Sequence, residues 1–528
     1  MTVTDFLRHW GLAENPFMGE EARADDVFAR MSGRSGAPMR SSAEMPARSA
    51  DLAAYHADFD KIVGDLRRPS AAVAFGEKGS GKTAIRLQLE RRVQEYNAAN
   101  AGAKVLFVPY DDLNSALDRV HERLGGKTPL ESLQKLRLVD HLDAILHAIV
   151  PRLVDAVTGE GVNHGFVDVG DVTKLHKRID KPSRRDLLLL QALYDLPEVA
   201  PGRTARLRSR LKLFPPAGAV WGRLTLVLVP LLLLALWWWT NHALPSTNPA
   251  LAWLKPTWAA WGLVVLVACY AVFALKHGVW DRLALLRRAH RVKRQIRVVN
   301  RGDISYASSL RQIPNWFLDA AHLPISDSDE PRFGMLDRVR RLLRHFGYAG
   351  IMVVIDRVDE PTIVNGDPDR MKAVVWPLLN NKFLQQEGVG VKMLLPMELR
   401  HAVFKESSAF FQGARLDKQS LVERLAWTGA TLYDLCEQRL HACRQRDATP
   451  IALLDLFAED VSRRDLTDAL ERLLQPRDAF KLMYRCVNEH CATITRGQEQ
   501  WRIPRLTLLN VLKAESERVQ QMHRGIRP

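Results

Sequence analysis

Apolar positions along the chain follow three rhythms. Short unbroken runs, SAAVAF (70–75), GIMVVIDRVDEP (350–361) and VKMLLP (391–396), read as strands buried on both faces. Elsewhere the apolar residues return every three or four positions, as in AIRLQLERRVQEY (84–96) and MLDRVRRLLRHFGYAG (335–350), the spacing of one helix face. SLVERLAWTGATLYDLCEQRL (420–440) combines a strand, a turn and an amphipathic helix, and QPRDAFKLMYRCV (475–487) opens a helix at Pro476. Strands separated by helices predict an α/β fold with a parallel sheet. The third rhythm is continuous: LTLVLVPLLLLALWWW (224–239) and TWAAWGLVVLVACYAVFAL (257–275) carry no charge.

At about 1.5 Å per residue the second of these runs would cover roughly 28 Å, close to a bilayer's hydrocarbon thickness. The first reaches spanning length by extending back to Ala217, with Arg223 snorkelling to the interface and Pro230 tolerated as in membrane helices. Trp237, Trp238, Trp239, Trp253, Trp258 and Trp261 gather at one end of both runs as an aromatic belt. RTARLRSRLK (203–212) and RLALLRRAHRVKRQIR (282–297) flank the pair, while 241–256 holds only Lys255. The positive-inside rule then predicts a multi-pass inner-membrane protein, embedded in lipid by two spans, with both termini cytoplasmic.

The net charge of +15 suggests an anionic partner, and much of it lies beside these two runs, which favours lipid headgroups over nucleic acid. The basic tail RIPRLTLLNVLKAESERVQQMHRGIRP (502–528) leaves nucleic acid as a lesser alternative without a winged-helix or zinc signature. Five cysteines with no metal-ligand spacing point to reduced thiols. The opening MTVTDFLRHWGLAENPF has no apolar core, so no cleaved secretory signal is expected.

Chemistry concentrates at GEKGSGKT, residues 76–83. Strand, glycine loop and helix follow one another as a phosphate-binding loop requires. Gly76, Gly79 and Gly81, with Ser80 between them, let backbone N–H groups wrap phosphates. Lys82 neutralises the β- and γ-phosphates, and Thr83 ligates Mg2+. The run at 350–361 ends in acids at a strand's C-terminal edge, where open α/β sheets bind ligands. Asp356 is placed to hold Mg2+, and Glu360 or Asp359 to orient an attacking water, with Glu360 preferred. After VKMLLP the nearest polar candidates for a γ-phosphate sensor are Glu398 and Arg400.

These motifs resemble the STAND and AAA+-related P-loop NTPases of the additional-strand (ASCE) type. The Pro-Arg-Asp at 476–478 resembles the lid element of that group, which implies that Arg477 reaches the γ-phosphate, a surface arginine being the alternative. WGLAENPF (10–17) resembles the opening of certain secretion-associated bacterial P-loop ATPases, where it packs near adenine. Two membrane helices between the glycine loop and the acidic strand resemble the KAP family, although DRVDE (356–360) is closer to the STAND pattern.

The resulting partition is an N-terminal half of the ATPase domain with the glycine loop at 1–110, a helical insert at 111–215 and a transmembrane hairpin at 216–276, with helices near 217–239 and 257–275. A helical stalk at 277–345, a C-terminal half with the acidic strand at 346–428 and a helical lid at 429–528 complete it. The resemblance implies ATP and Mg2+ as cofactors, slow hydrolysis, a homo-oligomer, an operon-encoded effector or sensor partner, and a switch role in bacterial signalling or anti-phage defence. A housekeeping envelope or secretion motor is the alternative, and a nucleic-acid-binding ATPase a more distant one.

Overall fold

In the computed structural model the five strands are β1 (Ala72–Gly76), β2 (Lys104–Tyr110), β3 (Tyr348–Ile355), β4 (Val389–Pro396) and β5 (Ser420–Val422). They form one parallel sheet in the order β2-β3-β4-β1-β5. The structure describes residues 1–19, 21–31, 55–159, 166–216, 228–232, 234–235, 238, 256–276, 280–416, 420–445, 447–495 and 500–523. The expected α/β fold with a parallel sheet is what forms. Every residue of β1 and β4 is buried, as unbroken Val, Ala, Leu and Met runs require when helices cover both faces.

Register fixes where the loops emerge. Ala72–Gly76 runs level with Lys392–Pro396, and Ile351–Ile355 runs level with Val389–Met393. The residues after β1 and after β3 therefore leave the sheet at the same edge, one on each side of β4. Helix α1 (Lys82–Ala99) starts directly from the loop after β1.

The molecule divides into two units, Met1–Asp112 with Gly350–Pro528, and Leu113–Ala349. In the first, helices α2 (Gly429–Ala442), α3 (Arg463–Glu471), α4 (Pro476–Thr493) and α5 (Arg505–His523) follow the sheet. Thr428 and Ser462 cap α2 and α3 with reciprocal side-chain bonds to Thr431 and Asp465. Only a glycine fits at 429, because a Cβ there would run into the Thr467 carbonyl of α3. Phe6, Leu12 and Phe17 of the N-terminal segment share the core of these helices with Leu432, Leu470, Leu482 and Val511. Main-chain bonds hold the segment there, Ala13 N donating to Cys443 O at 2.8 Å and Gln445 N to Gly11 O at 2.9 Å.

The second unit is helical, with a core of Ile149, Leu153, Leu190, Leu207 and Val339. Within that core Arg332 is paired with Asp143 at 3.3 Å, both side chains fully enclosed, and Tyr194 Oη donates to Asp143 at 2.8 Å. Burial raises the Asp143 carboxyl to about 6 despite Arg332.

The expectation of two membrane spans is overturned. Among the described residues no helix is long and apolar enough to cross a membrane. Most of 217–239 lies outside the described residues. The second run forms the helix Pro256–Leu275, which falls short of the length and apolarity that crossing a membrane requires. The inner-membrane localisation, the lipid partner and the topology drawn from the flanking arginines are withdrawn with it.

Lys392 is the one charged side chain of β4, and its Nζ is buried without a hydrogen-bond partner. Desolvation lowers its pKa to about 8 from 10.5. Between those values the unfolded chain binds more protons than the folded one, so this group makes stability rise with pH from about 8 to about 10.5. Lys392→Met should therefore stabilise the protein at pH 7 by on the order of 2–3 kcal/mol. It should also flatten the gain in melting temperature between pH 7 and pH 9.5; a lower melting temperature at pH 7 would contradict this.

Candidate functional site

The loop between β1 and α1 closes on glycine conformations. Gly79 and Gly81 have φ of 102° and 90°, a region that side chains avoid. A Cβ at Gly79 would also lie 2.9 Å from Gln475 Oε1 and 3.1 Å from Arg477 Cβ. The loop and the start of α4 can approach this closely only because residue 79 has no side chain.

Lys82 folds back over its own loop, donating to Gly76 O at 2.8 Å and Glu77 O at 2.9 Å. Burial holds its ammonium below the ordinary lysine range, and Asp359, Asp356 and Glu398 pull it back up. Thr83 Oγ1 donates to Asp356 Oδ2 at 3.1 Å. Asp356 is 1% exposed, and burial raises its carboxyl against the Thr83 hydrogen bond and the Lys82 and Arg86 charges. Its Oδ1 has no hydrogen-bond partner, nor does the buried Ser80 Oγ. Buried polar atoms are seldom left unpaired.

These groups line a cavity of 320 Å³, within the range of small-molecule sites. Gly79, Gly81, Lys82, Thr83, Asp356, Asp359, Glu360 and Arg477 all reach its wall; Gly76 and Ser80 lie behind it. The Nε of Arg477 is buried and unpartnered. The apolar part of the lining is Phe28, Met31, Ile85, Trp427, Leu435 and Phe480.

The two acids after Asp356 differ. Glu360 is half exposed and paired with Arg357, whose φ of 61° turns it back toward that carboxylate. Asp359 is partly buried, and among the charges acting on Lys82 its effect is the largest. The sensor candidates after β4 do not join the cavity: Arg400 bonds Glu423 at 2.7 Å, and Glu398 is exposed.

Several residues of the site were not singled out from the sequence. Glu77 accepts from Arg424 at 2.8 Å and from Gln475, and Trp427 Nε1 donates to Ser80 O at 2.9 Å, so the loop is held from the C-terminal side. Arg439 on α2 bonds Asp25 and Pro16 O, each at 2.6 Å, and stacks over Phe480 at 4.4 Å. Arg86 and Asp111 stand beside Asp356. Asp111 follows β2 at the same sheet edge as 356–360, so the strand-end acid signal was present in VPYDDL (108–113) although the segment from 111 reads as helical insert.

Among the described residues no group of three or more His, Cys, Asp or Glu is arranged to hold a metal by itself. No protein-family model, curated protein or solved structure matches the chain.

The Arg439–Asp25 pair is almost fully enclosed. Arg439→Met would leave a buried carboxylate unpaired, at a cost of about 3–5 kcal/mol. Under limited proteolysis this variant should lose residues 1–31 first while the rest persists; an N-terminus as resistant as that of the unaltered chain would contradict the assignment.

Proposed function

We propose that the chain is a P-loop NTPase of the additional-strand class, related to the STAND and AAA+ groups, and that it works as a nucleotide-dependent switch. The observation that carries this reading is the convergence of Lys82, Thr83 and Asp356 on one cavity, with Asp356 Oδ1 and Ser80 Oγ left unpartnered. A strand order that sets β4 between the glycine-loop strand and the acidic strand supports the class.

The residues present fit a nucleoside triphosphate with Mg2+. Backbone amides of Gly79–Thr83 and the start of α1 would hold the β- and γ-phosphates, once Lys82 turns from its own carbonyls toward them. Thr83 and Asp356 would hold the metal, which supplies charge neutralisation on the phosphate oxygens. Arg477 brings an unpaired cation from α4 to the same cavity, and the apolar part of the lining suits a base, for which ATP is our choice. Asp359, beside Lys82, is better placed than Glu360 to orient a water.

A switch is favoured because the N-terminal segment, the sheet edge and α4 all line one cavity, so a bound triphosphate would bridge them. Signalling or defence against phage is the output we propose, with slow turnover; brisk constitutive hydrolysis would instead favour the motor alternative.

Purified protein should bind ATP, and Lys82→Ala should weaken binding at least tenfold. Asp359→Asn should lower kcat by about 10²-fold or more with little change in KM, and Glu360→Gln should stay within about threefold, the size of a lost exposed ion pair. The reverse ranking of the two acids would return the role to Glu360. ATP affinity that ignores Lys82→Ala would end the nucleotide reading. For the output, cells carrying the chain and its operon neighbours should lose protection against a phage panel on Lys82→Ala; unchanged protection would remove the defence role.

A further inference from the structure

Beside Asp356 lies a row of alternating charges that runs through Arg86 and Asp111 to Arg23, which itself lines the cavity. Arg86 sits one helical turn beyond Thr83 on α1, with its side chain 7% exposed. Its Nε is 3.4 Å from Asp111 Oδ2 and 4.0 Å from Asp356 Oδ2, and its Nη1 is 4.0 Å from Glu90 Oε2. No acceptor satisfies the Nε as a hydrogen bond. Asp111 is in turn paired with Arg23, and Arg23 belongs to the N-terminal segment that lines the cavity.

The geometry separates the two oxygens of Asp356. Oδ2 is engaged by the Thr83 hydroxyl and faces Arg86, while Oδ1 is buried and unpartnered. A carboxylate held through one oxygen cannot spin freely, so the other keeps a fixed direction. We propose that Arg86 is a positioning residue for Asp356, and that Asp111 and Arg23 set Arg86, so that the N-terminal segment governs how the metal acid is presented. This rests on the magnesium–triphosphate reading of the cavity.

Each charge in the row has a stated task. Asp111 neutralises Arg86, so its repulsion of a cation at Thr83 is weak. Arg23 keeps Asp111 from drawing Arg86 away from Asp356. Groups behind a metal ligand commonly change metal affinity by about 10- to 100-fold when removed. The phosphate-binding amides and Lys82 are untouched by the row, so its loss should fall on the metal-dependent part of binding alone.

The test is the affinity of the full chain for ATP, measured with Mg2+ and again in EDTA. In Arg86→Met the affinity in EDTA should stay within about twofold of the unaltered chain, while the gain conferred by Mg2+ should shrink about tenfold. Arg86→Lys should recover part of that gain, which a space-filling role would not produce. Arg23→Gln, at a partly exposed site that leaves α1 intact, should reduce the gain in the same direction by a smaller factor, and it serves should Arg86→Met fail to fold. Equal losses with and without Mg2+, or a full Mg2+ gain in Arg86→Met or, if that variant does not fold, in Arg23→Gln, would overturn the relay while leaving the nucleotide reading standing. If the unaltered chain binds no ATP under either condition, the nucleotide reading falls and the relay with it.

Discussion

The constraint on which the site depends is the register of β1 and β3 on either side of β4. Lys82 and Asp356 are far apart in sequence, and the stretch between them includes an entire helical unit. They meet because Gly76 ends level with Pro396 and Ile355 ends level with Met393. A slip of one residue in β3 would turn Asp356 to the opposite face and separate Thr83 from its acid. The unbroken burial of β1 and β4 resists such a slip, since any shift drives loop residues into the covered part of the sheet.

The second governing fact is electrostatic. Asp356 is buried and Lys82 partly so, and desolvation pushes each toward its neutral form. Lys82 donates to two carbonyls, and Thr83 to Asp356. These are partners that an incoming phosphate and cation can replace one for one. Arg477 and the Asp356 Oδ1 have no such substitute. A polyanion with a divalent cation would satisfy all of them together, which is the ground on which a nucleoside triphosphate is proposed.

The strands, the glycine loop and the acidic strand end were legible in the sequence because each is written in a few adjacent residues. What was not legible is what depends on distant pairing. Asp25 finds Arg439 and Glu77 finds Gln475 across hundreds of residues, and no local pattern announces either. Asp111 was visible as an acid but was read as the start of a helical insert, when it directly follows a strand. The choice between Glu360 and Asp359 turned on an i, i+3 pair with Arg357 that depends on an unusual backbone angle. The membrane reading failed for a related reason. Absence of charge over nineteen positions does not by itself make a helix long and apolar enough to span, and among the described residues none is.

The central claim is that a nucleoside triphosphate occupies this cavity with its phosphates on the glycine loop. The most direct check is photolabelling of the purified chain with 8-azido-ATP and Mg2+, followed by peptide mapping. Label should fall in peptides containing Phe28, Trp427 or Phe480, and excess ATP should abolish it. Label that falls elsewhere, or that excess ATP leaves unchanged, would contradict the account.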